Sequence, residues 1–168
     1  MKLIFIRHGQ ATAYCDDDAG RNLTEFGQRQ AAETAEHLVV NHHIDLIIAS
    51  PFNRADQTAR ILQKTLIAQG ITPAFITLDS ITPDDDPKQG VDDIDGVISK
   101  HFNDMDTSDK TIAIVCHMPI VANMVAVLDN DGLPAPMFDL AECRVLQTDV
   151  VAPDMAVQIE RFSPKQPD

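Results

Sequence analysis

Short apolar runs rich in β-branched residues alternate along the chain with stretches in which apolar residues recur at helical spacing. Such runs are typical of buried strands, and apolar positions three and four residues apart are typical of one helix face. We predict strands at 3–6, 44–49, 74–78 and 111–116. Four helices are predicted with them. The first covers 25–40 with Thr24 as N-cap, and the second carries Ala55 to Leu66 and stops at Gly70. The third and fourth cover 91–102 and 120–128.

Strands that alternate with helices predict an α/β fold with a largely parallel sheet. Two further strands, 144–151 and 155–162, flank a turn signal at 152–154 and add antiparallel pairing. We therefore predict a three-layer sandwich: a mostly parallel central sheet flanked by helices, with antiparallel edge strands at the C-terminal end. Residues 1–162 are predicted to form a single domain and residues 163–168 a tail.

The charge balance narrows the choice of partners. The chain has 168 residues, with 26 acidic residues against 13 Lys and Arg, for a formal net charge of -13. This charge argues against nucleic acid and against an anionic membrane surface. Residues 79–109 hold ten Asp. They are interpreted as a solvated excursion with an amphipathic helix, or alternatively as a lid or partner-facing segment.

Cysteine usage and the N-terminus favour a cytoplasmic protein. Cys15, Cys116 and Cys143 are odd in number and have no CxxC spacing, as in reduced proteins. The apolar run at 3–6 is too short for a signal peptide, and no run is long enough to span a membrane. Cys116 is expected in the core, and the pair at 42–43 (both His) in solvent.

Candidate chemistry follows three of the predicted strands. Arg7-His8-Gly9 follows the first, a segment from Ser50 to Arg54 follows the second, and His117 follows the fourth. Because the C-terminal ends of parallel strands line one crevice, two Arg and two His are expected to converge there. Gly9 is expected to let the backbone pass close to a ligand.

Two guanidiniums would repel a cation, and a catalytic zinc usually needs three protein ligands. Arginine instead fits a phosphoryl group as a bidentate fork, and a neutral imidazole is a competent nucleophile toward phosphorus. The pattern therefore favours one His as nucleophile, two Arg on the phosphoryl oxygens and a second His supporting the developing charge, with no metal and no cofactor.

These residues resemble the histidine phosphatase superfamily, also called phosphoglycerate mutase-like. The resemblance is carried by segments that lie in the family's order, namely Arg7-His8-Gly9, 23–24, 27–31, 50–59 and 115–117. Within the superfamily, the short length and the segments 50–58, 81–83, 117–121 and 136–138 are similar to SixA-type phosphohistidine phosphatases.

The resemblance implies a role for each matched residue. His8 would be the nucleophile that becomes phosphohistidine, and water would then hydrolyse the phosphoenzyme. Arg7 and Arg54 would clamp the phosphoryl group, while His117 would be the second active-site histidine that hydrogen-bonds its oxygens.

One departure from the family concerns the proton donor after the third strand. The matching position is Ser80, with Asp79 beside it as the remaining candidate acid or a plain surface residue. An alkoxide leaving group is very basic, water itself having a pKa of about 15.7, and needs a general acid. A free imidazole has a pKa of about 6.5 and needs much less help. A site without a strong acid therefore favours cleavage of P–N bonds.

Other residues are candidate substrate contacts. Gln10 follows the signature, and Met137 and Phe138 could form an apolar wall of the pocket or pack in the core. The function predicted is hydrolysis of phosphohistidine on a protein, and the resemblance suggests a histidine phosphotransfer domain or a phosphocarrier as partner. One alternative is a small-molecule phosphomonoesterase or a phosphoglycerate mutase-like enzyme using Asp79. A second is a non-catalytic phosphoprotein-binding module.

Overall fold

The computed structural model describes all 168 residues. The strands are β1 (Lys2–Arg7), β2 (Leu46–Ala49), β3 (Ala74–Thr77), β4 (Thr111–Cys116), β5 (Cys143–Gln147) and β6 (Val157–Phe162). The helices are α1 (Glu25–Asn41), α2 (Asn53–Ala68), α3 (Pro87–His101) and α4 (Ile120–Leu128). Every predicted element is present, and the differences are confined to element boundaries.

The six strands form one sheet in the order β3-β2-β4-β1-β5-β6. Neighbours among the first four pair in parallel, whereas β5 pairs antiparallel with both β1 and β6. The C-terminal ends of β2, β4 and β1 therefore lie side by side at one edge of the sheet.

Each face of the sheet carries its own apolar core, because successive strand residues point to opposite faces. On one face, Ile4 and Ile6 of β1 pack with buried residues of α1 and α2, including Leu38 and Leu62. The opposite core takes Leu3 and Phe5 with residues of α3 and α4. These two cores confirm the predicted three-layer sandwich.

Local hydrogen bonds explain where elements begin and end. The Thr24 side chain caps α1 by accepting from the Gly27 N–H, as predicted. Helix α3 begins at Pro87 rather than 91, because the Asp86 side chain accepts from the Lys88 N–H and Pro87 suits a first helical position.

The two C-terminal strands are shorter than predicted. Strand β5 ends at Gln147 because the next hydroxyl, on Thr148, donates to the Val150 carbonyl and turns the chain. Strand β6 begins only at Val157, since the Ala156 N–H pairs with the Leu128 carbonyl at the end of α4 instead.

The segment after β6 has no regular secondary structure but is bound to the rest of the chain. The Lys165 carbonyl accepts from Gln30 Nε2, and the Gln166 side chain hydrogen-bonds both backbone groups of Leu140. No helix combines the length and the apolar character that crossing a membrane would require.

One histidine lies where we did not expect it. His42 is buried, with its Nε2 2.9 Å from Glu160 Oε2, so the prediction of a solvated ring is wrong. The sequence-based prediction failed because Glu160 lies on β6, far away in sequence. His43 is exposed and Cys116 is buried in the core, as predicted.

Candidate active site

The candidate residues stand at the shared edge formed by the ends of β1, β2 and β4. The His8 N–H donates to the Cys116 carbonyl and the Ser50 N–H to the Val115 carbonyl, so hydrogen bonding of the sheet type continues just past the named strands. This pairing places the residues that follow β1, β2 and β4 next to one another. The His8 and His117 rings lie 5.1 Å apart, centroid to centroid.

The hydrogen bonds of His8 define which ring nitrogen carries the proton. Its Nδ1 lies 2.7 Å from the Gly9 carbonyl oxygen, which can only accept, so Nδ1 donates. Its Nε2 lies 3.1 Å from the Nε of Arg54, which can only donate. The lone pair of His8 is therefore on Nε2.

Arg54 is held from two directions. It follows β2 in the first turn of α2, and it is buried. Besides its Nε bond to His8, Nη1 donates to the Asp18 carbonyl at 2.7 Å and Nη2 to Asp18 Oδ2 at 3.1 Å. Its guanidinium carbon lies 5.3 Å from the centre of the Phe52 ring.

His117 is held by the hydroxyl of Ser50 and by an aromatic ring. Its Nε2 lies 2.7 Å from Ser50 Oγ, and the Phe52 ring meets it edge-on at 5.3 Å. The Phe52 N–H donates to the same Oγ at 3.4 Å. The Ser50 hydroxyl can then give its own hydrogen to Nε2, which leaves the ring proton of His117 on Nδ1.

Two buried donors at this edge have no partner. Arg7 donates from Nη1 to the Phe138 carbonyl at 2.7 Å, but its Nε makes no hydrogen bond. The Nδ1 of His117 is also buried and unpartnered. Unsatisfied buried donors are costly. Two of them, one at the end of β1 and one directly after the adjacent strand β4, are suited to the oxygens of an anion.

Both histidines are neutral at ordinary pH. Burial, assisted by the charges of Arg54 and Arg7, lowers the pKa of His8 to about 3. Burial, assisted by His8 and the same arginines, lowers the pKa of His117 to about 2. The site thus holds an uncharged imidazole among guanidiniums. No three histidine, cysteine or carboxylate side chains come together as ligands for one metal ion.

Gly9 is required for a reason other than the one we expected. A Cβ on Gly9 would lie 2.4 Å from the Gly27 carbonyl oxygen, so the close approach is to α1. The Gly9 N–H donates to Thr58 Oγ1 of α2 at 3.2 Å. Gly9 therefore seats the loop after β1 between two helices, and this contact fixes where His8 stands.

The secondary candidates are spread over different environments. Gln10 makes contacts within the fold: its side-chain oxygen accepts from the Thr24 hydroxyl and its N–H donates to Gln30. Phe138 is buried in the core beside α3 and α4, and its carbonyl supports Arg7. Met137 is 75% exposed. Asp79 is exposed and is not among the hydrogen-bond partners of the two arginines and two histidines.

Sequence reasoning missed the residues that support the site. Ser50 appeared only as part of a motif, and Asp18 lies in a loop with two other Asp residues. Nothing in their local pattern marks them. Burial of Arg54 would have indicated a carboxylate partner, because a buried cation requires one, but the sequence alone does not show that Arg54 is buried.

Two sequence comparisons relate this chain to known proteins. The family model described as histidine phosphatase superfamily (branch 1) matches residues 3–75. A Haemophilus influenzae protein named phosphohistidine phosphatase SixA homolog is 27% identical over 152 residues, covering 87% of this chain and 88% of that protein. The family resemblance inferred from the sequence is confirmed.

Solved structures show the same fold. The protein histidine phosphatase SixA complexed with tungstate superposes with a TM-score of 0.77 at 24% identity, covering 98% of this chain and 97% of the other. A mycobacterial glucosyl-3-phosphoglycerate phosphatase superposes with a TM-score of 0.70 at 15% identity, covering 98% and 99%.

Proposed function

We propose that this chain is a member of the histidine phosphatase superfamily and a phosphatase that removes the phosphoryl group from phosphohistidine on a protein substrate. The observation that carries the proposal is the state of His8. Its Nδ1 donates to the Gly9 carbonyl, so the lone pair is on Nε2. That lone pair accepts from Arg54 Nε, and it is released for attack when a phosphoryl oxygen takes over the Arg54 N–H. A neutral imidazole held this way needs no base to activate it.

In the first step, the Nε2 lone pair forms a bond to phosphorus while the bond from phosphorus to the substrate histidine breaks. The electron pair of that bond leaves on the substrate imidazole nitrogen. The ring departs as neutral imidazole because its other nitrogen carries a proton. Arg7 and Arg54 hold the phosphoryl oxygens, and the unpartnered Nδ1 of His117 donates to one of them. Preorganised donors of this kind stabilise the charge of the transition state.

In the second step, water attacks the phosphorus of phospho-His8 and the nitrogen–phosphorus bond breaks. Its electron pair returns to Nε2, which leaves His8 neutral with its proton on Nδ1. Inorganic phosphate leaves with the oxygen and both protons of the water. The arginines and His117 serve both steps, because the same phosphoryl group is transferred twice.

The carboxylates near the arginines of the site are all paired with arginine, and this supports a P–N substrate. Asp139 and Glu142, which act on the charge of Arg7, both accept hydrogen bonds from Arg161. The carboxylate that touches the site is Asp18, and the hydrogen bond from Arg21 and the contacts with Arg54 lower its pKa. Asp18 is therefore ionised and has no proton to give. The Ser80 hydroxyl, at the position matched to the family's acid, donates to Asp93 instead. An imidazole leaving group tolerates this arrangement far better than an alkoxide.

A phosphorylated protein, such as a histidine phosphotransfer domain or a phosphocarrier, is the partner class we propose, and no metal is required. A metal ion would face repulsion from Arg7, Arg21 and Arg54, all of which act on the charge of His8. The free thiols of Cys15, Cys116 and Cys143 fit a reducing cytoplasm.

The test compares three substrates: a protein phosphorylated on histidine, p-nitrophenyl phosphate and a phosphoglycerate, each with and without EDTA. We expect fast dephosphorylation of the first, slow turnover of the other two and no effect of EDTA. Preference for an alcohol ester would support the phosphomonoesterase alternative. Binding without turnover would support a phosphoprotein-binding module, and loss of activity in EDTA would contradict the metal-free mechanism.

A further inference from the structure

Asp18 makes more contacts with the site than any other carboxylate of the chain. Its backbone carbonyl and its Oδ2 each accept from a terminal nitrogen of Arg54, at 2.7 and 3.1 Å. Its other oxygen, Oδ1, accepts from Arg21 Nη1 at 2.8 Å. One residue thus engages two of the three arginines that surround His8.

These contacts determine which way the guanidinium of Arg54 faces. A guanidinium has five N–H donors. One donates to His8 Nε2 and two to Asp18, so three are engaged and two remain for a phosphoryl group. With both terminal nitrogens anchored on Asp18, the planar group cannot rotate without losing a hydrogen bond, and its Nε stays directed at His8.

The loop of residues 12–22 is itself anchored to the start of α2, the helix that carries Arg54. The Asn53 N–H donates to the Ala19 carbonyl, and its side chain donates to the Gly20 carbonyl and to Asn22. At its base, the Thr12 N–H pairs with the Asn22 carbonyl. These hydrogen bonds therefore fix the position of Asp18 relative to Arg54.

Charge explains why the residue at this position is an acid. The Arg54 side chain is 5% exposed, and a cation buried to that extent needs a counter-charge. Asp18 is 31% exposed and supplies that charge from the solvent side of Arg54.

We propose that Asp18 is a positioning residue, which acts through Arg54 to keep its guanidinium beside His8 and its free N–H groups toward the phosphoryl site. The inference rests on the proposed function for its kinetic consequence, although the geometry it invokes is independent of substrate. Because the charge of Arg54 stays in place without Asp18, substrate attraction persists while alignment in the transition state is lost.

The first test is Asp18→Asn, which keeps the shape of the side chain and removes its charge. With a phosphohistidine protein as substrate, we expect kcat to fall by about 10- to 100-fold and KM to change little. Asp18→Glu, which restores the charge, should recover part of the loss. Asp16→Asn is the matched control, since it removes the same charge from the same loop at an exposed position and should retain wild-type activity.

A double-mutant cycle then separates an effect through Arg54 from a general effect on the loop. In an Arg54→Lys background, Asp18→Asn should cause little further loss, because its contact is already gone. Full additivity of the two losses would overturn the proposal. A rise in kcat/KM in Asp18→Asn would also overturn it, because Asp18 would then be an anion that competes with substrate.

NMR of the free protein gives a readout that does not depend on turnover. Hydrogen exchange at the Arg54 Nε–H should be slow in wild type and in Asp16→Asn and faster in Asp18→Asn. Unchanged exchange would refute the positioning role even if the protein had no phosphatase activity. Conversely, faster exchange in a protein that leaves phosphohistidine intact would retain the role of Asp18 and refute the proposed function instead.

Discussion

The molecule contains two pairs of histidines in contact with charged groups, and they behave in opposite ways. At the strand edge, His8 and His117 lie 5.1 Å apart among arginines. Between α1 and β6, His37 and His42 both bind Glu160, at 2.6 and 2.9 Å. The rings are alike, but the first pair faces donors and the second pair faces an acceptor.

The difference shows that the neighbouring charge decides what a buried imidazole can do. A guanidinium can only donate, so it leaves His8 with a bare nitrogen that is suited to attack. An ionised carboxylate can only accept, so each ring nitrogen that meets Glu160 must carry a proton. The second pair therefore joins a helix to an edge strand, and the ring nitrogens that meet Glu160 are not nucleophiles.

The strongest test of this comparison removes one ring from each pair. His8→Ala should lower turnover of a phosphohistidine protein by about 10⁴-fold or more, because no phosphoenzyme can form. His42→Ala should retain activity and lower the free energy of unfolding, since it leaves a cavity and a weakened tie to Glu160. Trapping of the acid-labile phosphoenzyme tests the role of His8, and denaturant unfolding measures the stability lost in His42→Ala. Activity near wild type in His8→Ala would mean that the nucleophile is misassigned.

The free energy of unfolding should fall in acid because of His8 and His117, the pair that arginines surround. His8 has an ordinary pKa of 6.5 when unfolded and about 3 when folded, so the unfolded chain binds more protons between those values. Stability is therefore fully present above pH 6.5 and lost as the pH falls, by about 3 kcal/mol from His8 alone between pH 7 and 4. His117, whose pKa is also lowered, adds a loss of the same sign.

Urea unfolding at several pH values measures how steeply the free energy of unfolding changes with pH. His8→Gln should make the dependence of stability on pH shallower than in wild type. An unaltered slope in His8→Gln would show that His8 is protonated in the folded protein near pH 6.

A smaller effect is expected at Ser50, which supports the second ring of the site. Ser50→Ala removes the hydroxyl 2.7 Å from His117 Nε2 and should lower kcat/KM by about tenfold, the value of one hydrogen bond. Nitrogen-15 NMR of His117 should then report loss of the Nδ1–H tautomer. Ser50→Thr should restore both kcat/KM and the Nδ1–H tautomer. Ser80→Ala, in the turn after β3, should leave both as in wild type.

The smallest effect on activity is expected at Glu160. Burial acts to raise its pKa, but the hydrogen bond from His37 and the contacts with His42 outweigh it, and the pKa lies below its ordinary value. Glu160→Gln should therefore cost about 1 kcal/mol of stability at pH 7 and less in acid, where Glu160 is protonated in wild type. The kinetics should not change, and a large loss of turnover would contradict the separation of the two pairs.

Much of the fold could be predicted because it is local. Strand β4 and helix α4 have the predicted bounds, since continuous apolar runs and a preceding proline mark them. The opening residue of α3 could not be placed, because it depends on a side-chain cap at Asp86 that an amphipathic pattern does not reveal. The early end of β5 likewise depends on a hydrogen bond formed by Thr148.

The sequence by itself determined the layered sheet and the strand ends at which His8, Arg54 and His117 would stand, because strand direction brings those ends to one edge. Only the tertiary structure decided which nitrogen of His8 is bare, that Asp18 orients Arg54 and that His42 binds Glu160. The physical reason is that hydrogen bonds and burial join residues far apart in the chain. Their partners are set by packing and leave no local pattern in the sequence.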